Sequence, residues 1–378
     1  MKIQPLLALD IGSTKVACAI GLPLQDSSGF ELLGSSLVPY PALSETWLGD
    51  PVMVSRTIEQ ALEATGIPLD ISHAHVVFNH PLLASERVRA AITLADEPVS
   101  IREQDLQRLQ ASALHQVLSI DREALIVERL GCAGNGFEGV RDPRGLPATR
   151  LMGTFHILTM PTAARCALVQ VVEATGLEMA RMTYSLCATL AGLGDDTLAH
   201  KRVLMIDVGG LSTDVGLFVE GTLHAVQIVP WGGLSLASHI AKDLQVTNDQ
   251  ALTWSLEGSA CRKPEVRTLI QHHWKDLEQA IRSTLQDQPR PDAIFIAGRA
   301  ALADGFAEWV ERATGTSVSL CRSPRTQRSG DLARQAGLGA AIGALELSTR
   351  SANGHIDRPA SLVNRLIDRT RTILTEYF

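Results

Sequence analysis

The 378 residues, 45% apolar and 20% charged, are typical of a folded protein with two or three domains and exclude a mini-protein scaffold. The formal net charge of -7 provides no basic field for nucleic acid, so no nucleic-acid partner is expected. The 6 cysteines form no C-x-x-C pair, which indicates buried thiols in a reducing cytoplasm. Long apolar runs are also missing, so a membrane-spanning protein is excluded.

The first part of the chain predicts strands followed by a helix. Apolar runs predict strands at 6–11, 16–20, 30–38 and 75–78, and helical spacing predicts a helix at 53–64. The first two strands form a hairpin with the polar tip Gly12-Ser13-Thr14. Residues 84–160 differ: strands at 87–94, 125–130 and 149–159 surround a helix opened by Ser100 with Glu103 as its capping-box partner. This segment predicts a small α+β insertion.

A second α/β unit follows. A helix at 162–175 precedes a predicted hairpin at 203–219 and strands at 222–229 and 293–296, with helices at 235–244, 249–257, 265–285 and 301–313. Residues 346–361 are polar and contain Gly354 and Pro359, so they predict a flexible linker that reaches about 20 Å.

Two segments of the chain repeat one pattern, Leu9 to Val16 and Ile206 to Val215. Each has an apolar strand, an Asp, a Gly and a Ser-Thr pair before a second strand. Gly lets the backbone turn close to a ligand, N–H groups and hydroxyls then face phosphate oxygens, and the carboxylates of Asp10 and Asp207 can hold hydrated Mg²⁺. Two such hairpins predict a clamp on a triphosphate. The alternative is two unrelated D-x-G turns.

These residues resemble the actin, sugar-kinase and DnaK-type ATPase superfamily, and within it the FtsA family of bacterial cell-division proteins. The similarity includes Lys15 in the first loop, Gly139 to Leu146 in the insertion, Val229 to Gly233 before a helix, and Ala297-Gly298 in an adenosine loop. The resemblance implies an α/β, actin-like fold, with two RNase H-like domains around a nucleotide cleft. The implied domains are 1–83 and 161–200, an inserted α+β subdomain at 84–160, a second domain at 201–345 with a small subdomain at about 227–290, the linker 346–361 and a C-terminal amphipathic helix at 362–378.

The resemblance implies that ATP binds with Mg²⁺. The implied contacts are Asp10, Gly12, Ser13, Thr14 and Lys15 in the first loop, Asp207, Gly209, Gly210, Leu211, Ser212 and Thr213 in the second, and Gly232, Gly233, Gly298 and Arg299 elsewhere. Asp214 is a candidate for orienting water for hydrolysis, with a strand-start carboxylate as the alternative. The expected activity is at most a weak ATPase.

Three departures from the family pattern predict weak nucleotide affinity, or a nucleotide that serves a structural purpose. Leu211 stands where the family has a third Gly, and Arg299 follows Gly298 where it has a second one. The helix segment at 270–274 contains neither the acidic residue nor the Arg that the family places near the nucleoside.

The last 17 residues predict an amphipathic helix that lies in a membrane interface. On a helical wheel, one arc of about 160° carries Leu362, Val363, Leu366, Ile367, Ile373, Leu374, Tyr377 and Phe378. The other side carries charges of both signs, so binding to an anionic or neutral membrane depends mainly on apolar insertion. The alternative is a terminal helix packed on its own core.

The resemblance implies a peripheral membrane protein of the divisome, on the cytoplasmic face of the inner membrane at the septum. It would self-associate into filaments, bind FtsZ through residues about 227–290, tether FtsZ to the membrane, and contact other division proteins through the insertion. An alternative is a PilM-like non-catalytic scaffold of a pilus or secretion machine, and a small-molecule kinase has support from fold analogy alone.

Overall fold

The computed structural model describes residues 4–24, 29–40, 48–68, 71–248, 250–252, 264–303, 305–329 and 331–352. These residues divide into two compact units. The first contains the chain up to Leu83 and again from Ala163, and the second contains Ala84–Thr162. The predicted insertion at 84–160 thus corresponds to the second unit, which ends two residues later. The tail at 362–378 and most of the predicted helix at 249–257 lie outside the described residues.

Strands and helices are numbered here in chain order. The strands are β1 Leu6–Ile11, β2 Lys15–Pro23, β3 Phe30–Pro39, β4 His73–Phe78, β5 Ala84–Thr93, β6 Val99–Ser100, β7 Arg122–Gly134, β8 Phe137–Val140, β9 Pro147–Ala148, β10 Arg150–Pro161, β11 Glu178–Tyr184, β12 Arg202–Val208, β13 Thr213–Val219, β14 Thr222–Val229, β15 Ala293–Ala297 and β16 Val318–Leu320. The helices are α1 Pro51–Glu63, α2 Glu103–Val117, α3 Thr162–Glu173, α4 Ser185–Gly192, α5 Gly233–Leu244, α6 Pro264–Leu285, α7 Phe306–Thr314 and α8 Leu332–Ala352. Within the described ranges, none of these helices combines the length and apolar composition needed to cross a bilayer.

The first unit contains two five-stranded sheets of the same topology. Their strand orders are β3-β2-β1-β4-β11 and β14-β13-β12-β15-β16. In each sheet three consecutive strands pair antiparallel, and the first of them then pairs in parallel with a strand from later in the chain. This duplication confirms the predicted α/β class with two related halves.

Each sheet of the first unit has its own apolar core. On the second sheet, the core includes Ile240 of α5 and Leu277 of α6, and Trp274 packs edge-on against Phe306 with ring centroids 5.5 Å apart. On the first sheet, Leu338 and Ile342 of α8 are buried against alanines of the strands. Burial of this kind is the main stabilising contribution, at about 25 cal/mol per Å² of apolar surface.

The second unit is a four-stranded antiparallel sheet, β5-β10-β7-β8, covered by α2. Leu106 and Leu109 of α2 are buried against Phe155 and Ile157 of β10. The predicted cap of α2 at Ser100 is wrong, because Ser100 pairs with Pro147 in a short two-stranded ladder. Instead, the backbone N–H of Arg102 donates to Asp105 Oδ2 at 3.0 Å.

Two predictions near the C-terminus also need correction. The helix expected at 301–313 is a short 3₁₀ turn at Arg299–Leu302 followed by α7, which begins at Phe306 after Gly305 with φ 79°. The first seven residues of the linker expected at 346–361 are helical instead, because α8 continues to Ala352, and the remainder lies outside the described residues. Glu346 is buried in that helix and accepts from Arg325 at 3.0 Å, and Thr349 is also buried, so this part of the helix is packed against the first unit.

Candidate functional site

A cavity of ≈ 640 Å³ in the first unit is lined by the tips of both predicted hairpins. Residues 10–15 come from the first hairpin and residues 207–212 from the second. Further wall residues come from the start of α5, the segment 297–300 after β15, and α8. The two related halves of the unit therefore contribute corresponding elements to one site.

The two hairpins have the same backbone geometry. The N–H of Gly12 donates to the carbonyl of Lys15 at 3.0 Å, and the N–H of Gly209 donates to the carbonyl of Ser212 at 3.0 Å. In the strand pairing, Asp10 lies opposite Ala17 and Asp207 lies opposite Asp214. The duplicated pattern in the sequence is thus a duplicated structure.

The side chains at the two tips differ. When the hairpins are aligned by their equivalent hydrogen bonds, Ser13 and Thr14 of the first correspond to Gly210 and Leu211 of the second. Leu211 lines the cavity, as expected, so an apolar side chain faces a ligand there. The Ser-Thr pair of the second hairpin lies further along the strand. Thr213 is completely buried and its hydroxyl donates to the carbonyl of Trp231 at 2.9 Å. The predicted nucleotide contact of Thr213 is therefore not supported.

The tips of the two hairpins touch each other. A Cβ atom added to Gly210 would overlap Ser13 Oγ and lie 2.8 Å from Thr14 Cγ2. Only glycine leaves room for this close approach. Both tips consequently meet at one end of the cavity.

Helix α5 holds the second tip in place. Its first N–H groups, those of Gly233 and Leu234, donate to the carbonyls of Gly209 and Gly210 at 2.9 and 2.8 Å. Gly232 is required by this contact, because an added Cβ would lie 2.7 Å from the carbonyl carbon of Gly210. Gly233 lines the cavity, whereas Gly232 supports the tip from behind.

The charged residues at this end are two carboxylates and a lysine. Lys15 forms an ion pair with Asp10, and both side chains are mostly buried. Asp207 also lines the cavity, and burial together with the charge of Asp10 raises its pKa to about 6, while Lys15 opposes the shift. The two hairpins thus bring two acidic side chains close enough to repel each other.

The candidate catalytic residue Asp214 does not line the cavity. It is completely buried on β13, and Tyr184 donates a hydrogen bond of 2.7 Å to its Oδ2. Burial raises the pKa of Asp214 to about 7, partly offset by the hydrogen bond from Tyr184. This environment favours the alternative of a structural strand carboxylate.

The acidic pair suits a hydrated Mg²⁺ ion. In the described part of the chain, no group of three or more His, Cys, Asp or Glu side chains is arranged to hold a metal ion. Mg²⁺ keeps several waters and commonly uses one or two carboxylates plus substrate phosphates. Asp10 and Asp207 fit that mode, with the remaining ligands supplied by water and a nucleotide.

The predicted adenosine loop lies beside the second hairpin. Ala297 pairs with Asp207, and Gly298 and Arg299 follow it on the cavity wall. The Arg299 side chain forms no hydrogen bond or ion pair with any described residue. Among the residues of α6 whose side chains the structure describes, none lines the cavity, and Trp274 of the segment 270–274 belongs to the core.

Sequence reasoning missed several wall residues, among them Tyr40, Asn79, Ser185 and the α8 residue Gly337. Asn79 directly follows β4 and Ser185 directly follows β11, and both strands run parallel to β1. Since the carboxyl ends of parallel strands meet at one edge, polar residues there were detectable. Gly337 belongs to a helix that the sequence pattern did not predict.

Comparison with known proteins shows that the second unit matches a known family model. The model described as "SHS2 domain inserted in FTSA" matches residues 82–159. Curated FtsA proteins are similar over about two thirds of the chain: 23% identity over 250 residues in Pseudomonas aeruginosa and 29% over 257 residues in Rhizobium meliloti. The chain is a diverged FtsA-like protein. The matches cover 65% and 64% of this chain but 59% and 57% of those relatives.

Solved structures show the actin-like fold of this FtsA-like chain. The PilM-PilN type IV pilus biogenesis complex has a TM-score of 0.69 at 15% identity, covering 91% of this chain and 98% of that chain. MreB5 of Spiroplasma citri bound to ADP has a TM-score of 0.52 at 10% identity, covering 93% and 98%. At such low identity these likenesses establish the fold alone.

Proposed function

We propose that this chain is an FtsA-like cell-division protein that binds Mg-ATP between its two hairpins, self-associates, and tethers FtsZ to the cytoplasmic membrane at the division site. The observation that carries the proposal is the match to an FtsA-type SHS2 domain, inserted after β4 within the first half of an actin-like unit. The similarity to curated FtsA proteins supports the same assignment.

Nucleotide binding follows from the chemistry of the cavity. The first tip offers the hydroxyls of Ser13 and Thr14 and the cation of Lys15 to phosphate oxygens. Asp10 and Asp207 would hold Mg²⁺, which when bound neutralises phosphate charge. Because Mg²⁺ would compete with Lys15 for Asp10, we expect Lys15 to turn towards the phosphates as the nucleotide binds.

Hydrolysis is expected to be weak. Phosphoryl transfer requires a group that orients water in line with the terminal phosphate. Asp214 is held by Tyr184 away from the cavity wall, so it gives no such contact. We therefore propose that the main effect of bound nucleotide is to control self-association, and that its hydrolysis is slow. We also propose that Leu211 and Arg299 lower the affinity of the site for nucleotide.

Membrane attachment rests on the tail at 362–378. Its apolar arc fits an interfacial helix, with Ile373, Leu374 and Phe378 inserted among the lipids. The end of α8 is fixed to the first unit, since Arg350 donates to Asp196 at 2.9 Å. A flexible connection over the residues 353–361 would let the tail reach about 15 to 18 Å from that point.

The test is co-sedimentation of purified FtsZ with liposomes in the presence of this protein, with and without Mg-ATP. The full chain should bring FtsZ into the pellet, and a chain ending at Ser361 should not. A matched pair isolates the apolar arc: Ile367→Asn should weaken pelleting, whereas Asp368→Asn on the charged side should preserve it. Failure of the full chain to recruit FtsZ under every condition contradicts the proposal.

A PilM-like cytoplasmic scaffold is the second candidate. The departures at Leu211 and Arg299 in the nucleotide loops favour it, because a scaffold of this kind does not require tight nucleotide binding. It has no need of lipid binding or of FtsZ. A full chain that remains in the supernatant with liposomes and leaves FtsZ there would favour this scaffold.

A further inference from the structure

Tyr40 is fixed against the first hairpin by its backbone. It directly follows Pro39, which pairs with Lys15 across β2 and β3. The N–H of Tyr40 donates to the carbonyl of Thr14 at 3.1 Å. The residue is therefore anchored at the tip that offers Ser13 and Thr14 to a ligand.

The hydroxyl of Tyr40 is buried and has no hydrogen-bond partner among the described residues. Tyr40 is one of the residues that line the cavity, and it is only 7% exposed. No described residue accepts a hydrogen bond from its hydroxyl. Tyr184 provides the contrast, because its buried hydroxyl donates to Asp214 at 2.7 Å. A buried hydroxyl without an acceptor is destabilising, so the arrangement calls for an acceptor from a bound molecule.

The surroundings of Tyr40 define the chemistry of that acceptor. Burial and the nearby charge of Asp10 both raise the pKa of Tyr40, so the phenol keeps its proton at neutral pH. A neutral phenol close to Asp10 lies at the end of the cavity with the hairpin tips and the acidic pair. Oxygens of a phosphate chain are strong acceptors of this kind of hydrogen bond.

We propose that the Tyr40 hydroxyl donates a hydrogen bond to a phosphate oxygen of the nucleotide seated on the first hairpin. The inference rests on the proposed nucleotide binding and adds a phosphate-binding residue that the sequence motifs do not contain. In the protein without nucleotide, this hydroxyl lowers stability; in the complex, it raises affinity.

Tyr40→Phe separates these two effects. By calorimetric titration, the variant should bind Mg-ATP about 10-fold more weakly, as expected for loss of a hydrogen bond to a charged acceptor. Adenosine, which has no phosphate, should bind both proteins equally. The melting temperature without nucleotide should be unchanged or higher. Tyr184→Phe is the matched control: it removes a hydroxyl that has a partner, so its melting temperature should fall.

Three results would overturn the inference. These are unchanged Mg-ATP affinity in Tyr40→Phe, an equal loss for adenosine and Mg-ATP, or a lower melting temperature of that variant without nucleotide. If the wild-type chain binds Mg-ATP and Tyr40→Phe binds it equally well, only the role of Tyr40 fails. If the wild-type chain binds no nucleotide, the proposed nucleotide binding fails as well.

Discussion

The two hairpins share one backbone design but differ in the chemistry of their tips. Gly12 and Gly209 donate equivalent hydrogen bonds of 3.0 Å, and the strands pair in the same register. The first tip then offers two hydroxyls and Lys15, whereas the second offers Gly210 and Leu211. The Asp-x-Gly turn therefore gives both hairpins the same geometry, although their tip residues differ in chemistry.

This difference assigns unequal roles to the halves of the site. The first hairpin supplies polar side chains and a cation to the phosphates. The second supplies Asp207 and a backbone held by α5 through Gly233 and Leu234. Substitutions in the first hairpin should change affinity, while substitutions around the second should also change stability.

The largest effect is expected where the second tip meets α5. Gly232→Ala places a Cβ against the backbone of Gly209 and Gly210, and backbone there cannot move without disrupting the tip. The free energy of unfolding should fall by about 3 kcal/mol, as for severe overpacking. Gly12→Ala is the control in the first hairpin, since its Cβ would lie 3.4 Å from the Lys15 carbonyl oxygen. Equal stability of the two variants in urea titrations would contradict this account.

The next effect concerns the acidic pair and pH. The pKa of Asp207 in the folded protein is about 6, above its ordinary value, so the carboxylate lowers stability above pH 6. This penalty, about 3 kcal/mol, is relieved as the pH falls towards 4. Asp207→Asn should therefore be more stable than wild type at pH 8, with little difference at pH 4.

The corresponding change in the first hairpin should behave differently. Asp10→Asn leaves Lys15 without its ion-pair partner, so it should give no comparable gain at pH 8. Urea titrations at both pH values provide the measurement. A gain for Asp10→Asn as large as that for Asp207→Asn would show that the two carboxylates are equivalent.

A smaller effect is expected from the two Ser-Thr pairs. The double variant Ser13→Ala and Thr14→Ala should weaken Mg-ATP binding by about 10-fold through loss of hydroxyl contacts. Thr213→Ala should leave affinity within about 2-fold, while losing its buried hydrogen bond to the Trp231 carbonyl and about 1 kcal/mol of stability. Titration calorimetry and thermal unfolding report the two quantities, and weaker binding by Thr213→Ala would contradict the observed register.

The smallest effect is expected at Leu211. Leu211→Gly removes an apolar side chain from the wall and lets the second tip approach a phosphate more closely. We expect Mg-ATP affinity to rise by about 3-fold, which corresponds to roughly 0.65 kcal/mol. Leu211→Ala should give an intermediate value. An affinity that falls in both variants would mean that Leu211 contributes favourable contacts.

The sequence predicts some elements well because their patterns are local. Both hairpins were detectable, since short apolar runs flank a Gly turn in each. Helix α8 was not predicted, because small residues such as Gly337 and Ala341 are buried on several sides and leave no polar face. Packing against other elements, rather than periodicity, stabilises that helix.

The candidate site was predictable to a similar extent. The residues of the two turns line the cavity as their spacing predicts. The contact predicted for Thr213 was wrong because equal residue types in two segments do not establish an equal structural register. The hydrogen bond from the Gly209 N–H to the Ser212 carbonyl sets that register. Tyr40 was missed because a hydroxyl without a partner is visible only in three dimensions.

In the proposed function, the two hairpins form a single nucleotide site. The most direct test is calorimetric titration of Mg-ATP into the wild-type chain, into the double variant Ser13→Ala and Thr14→Ala, and into Asp207→Asn. With a single site, we expect one nucleotide per chain and weaker binding in both of these variants. Two nucleotides per chain, or unchanged affinity in either variant, would contradict it.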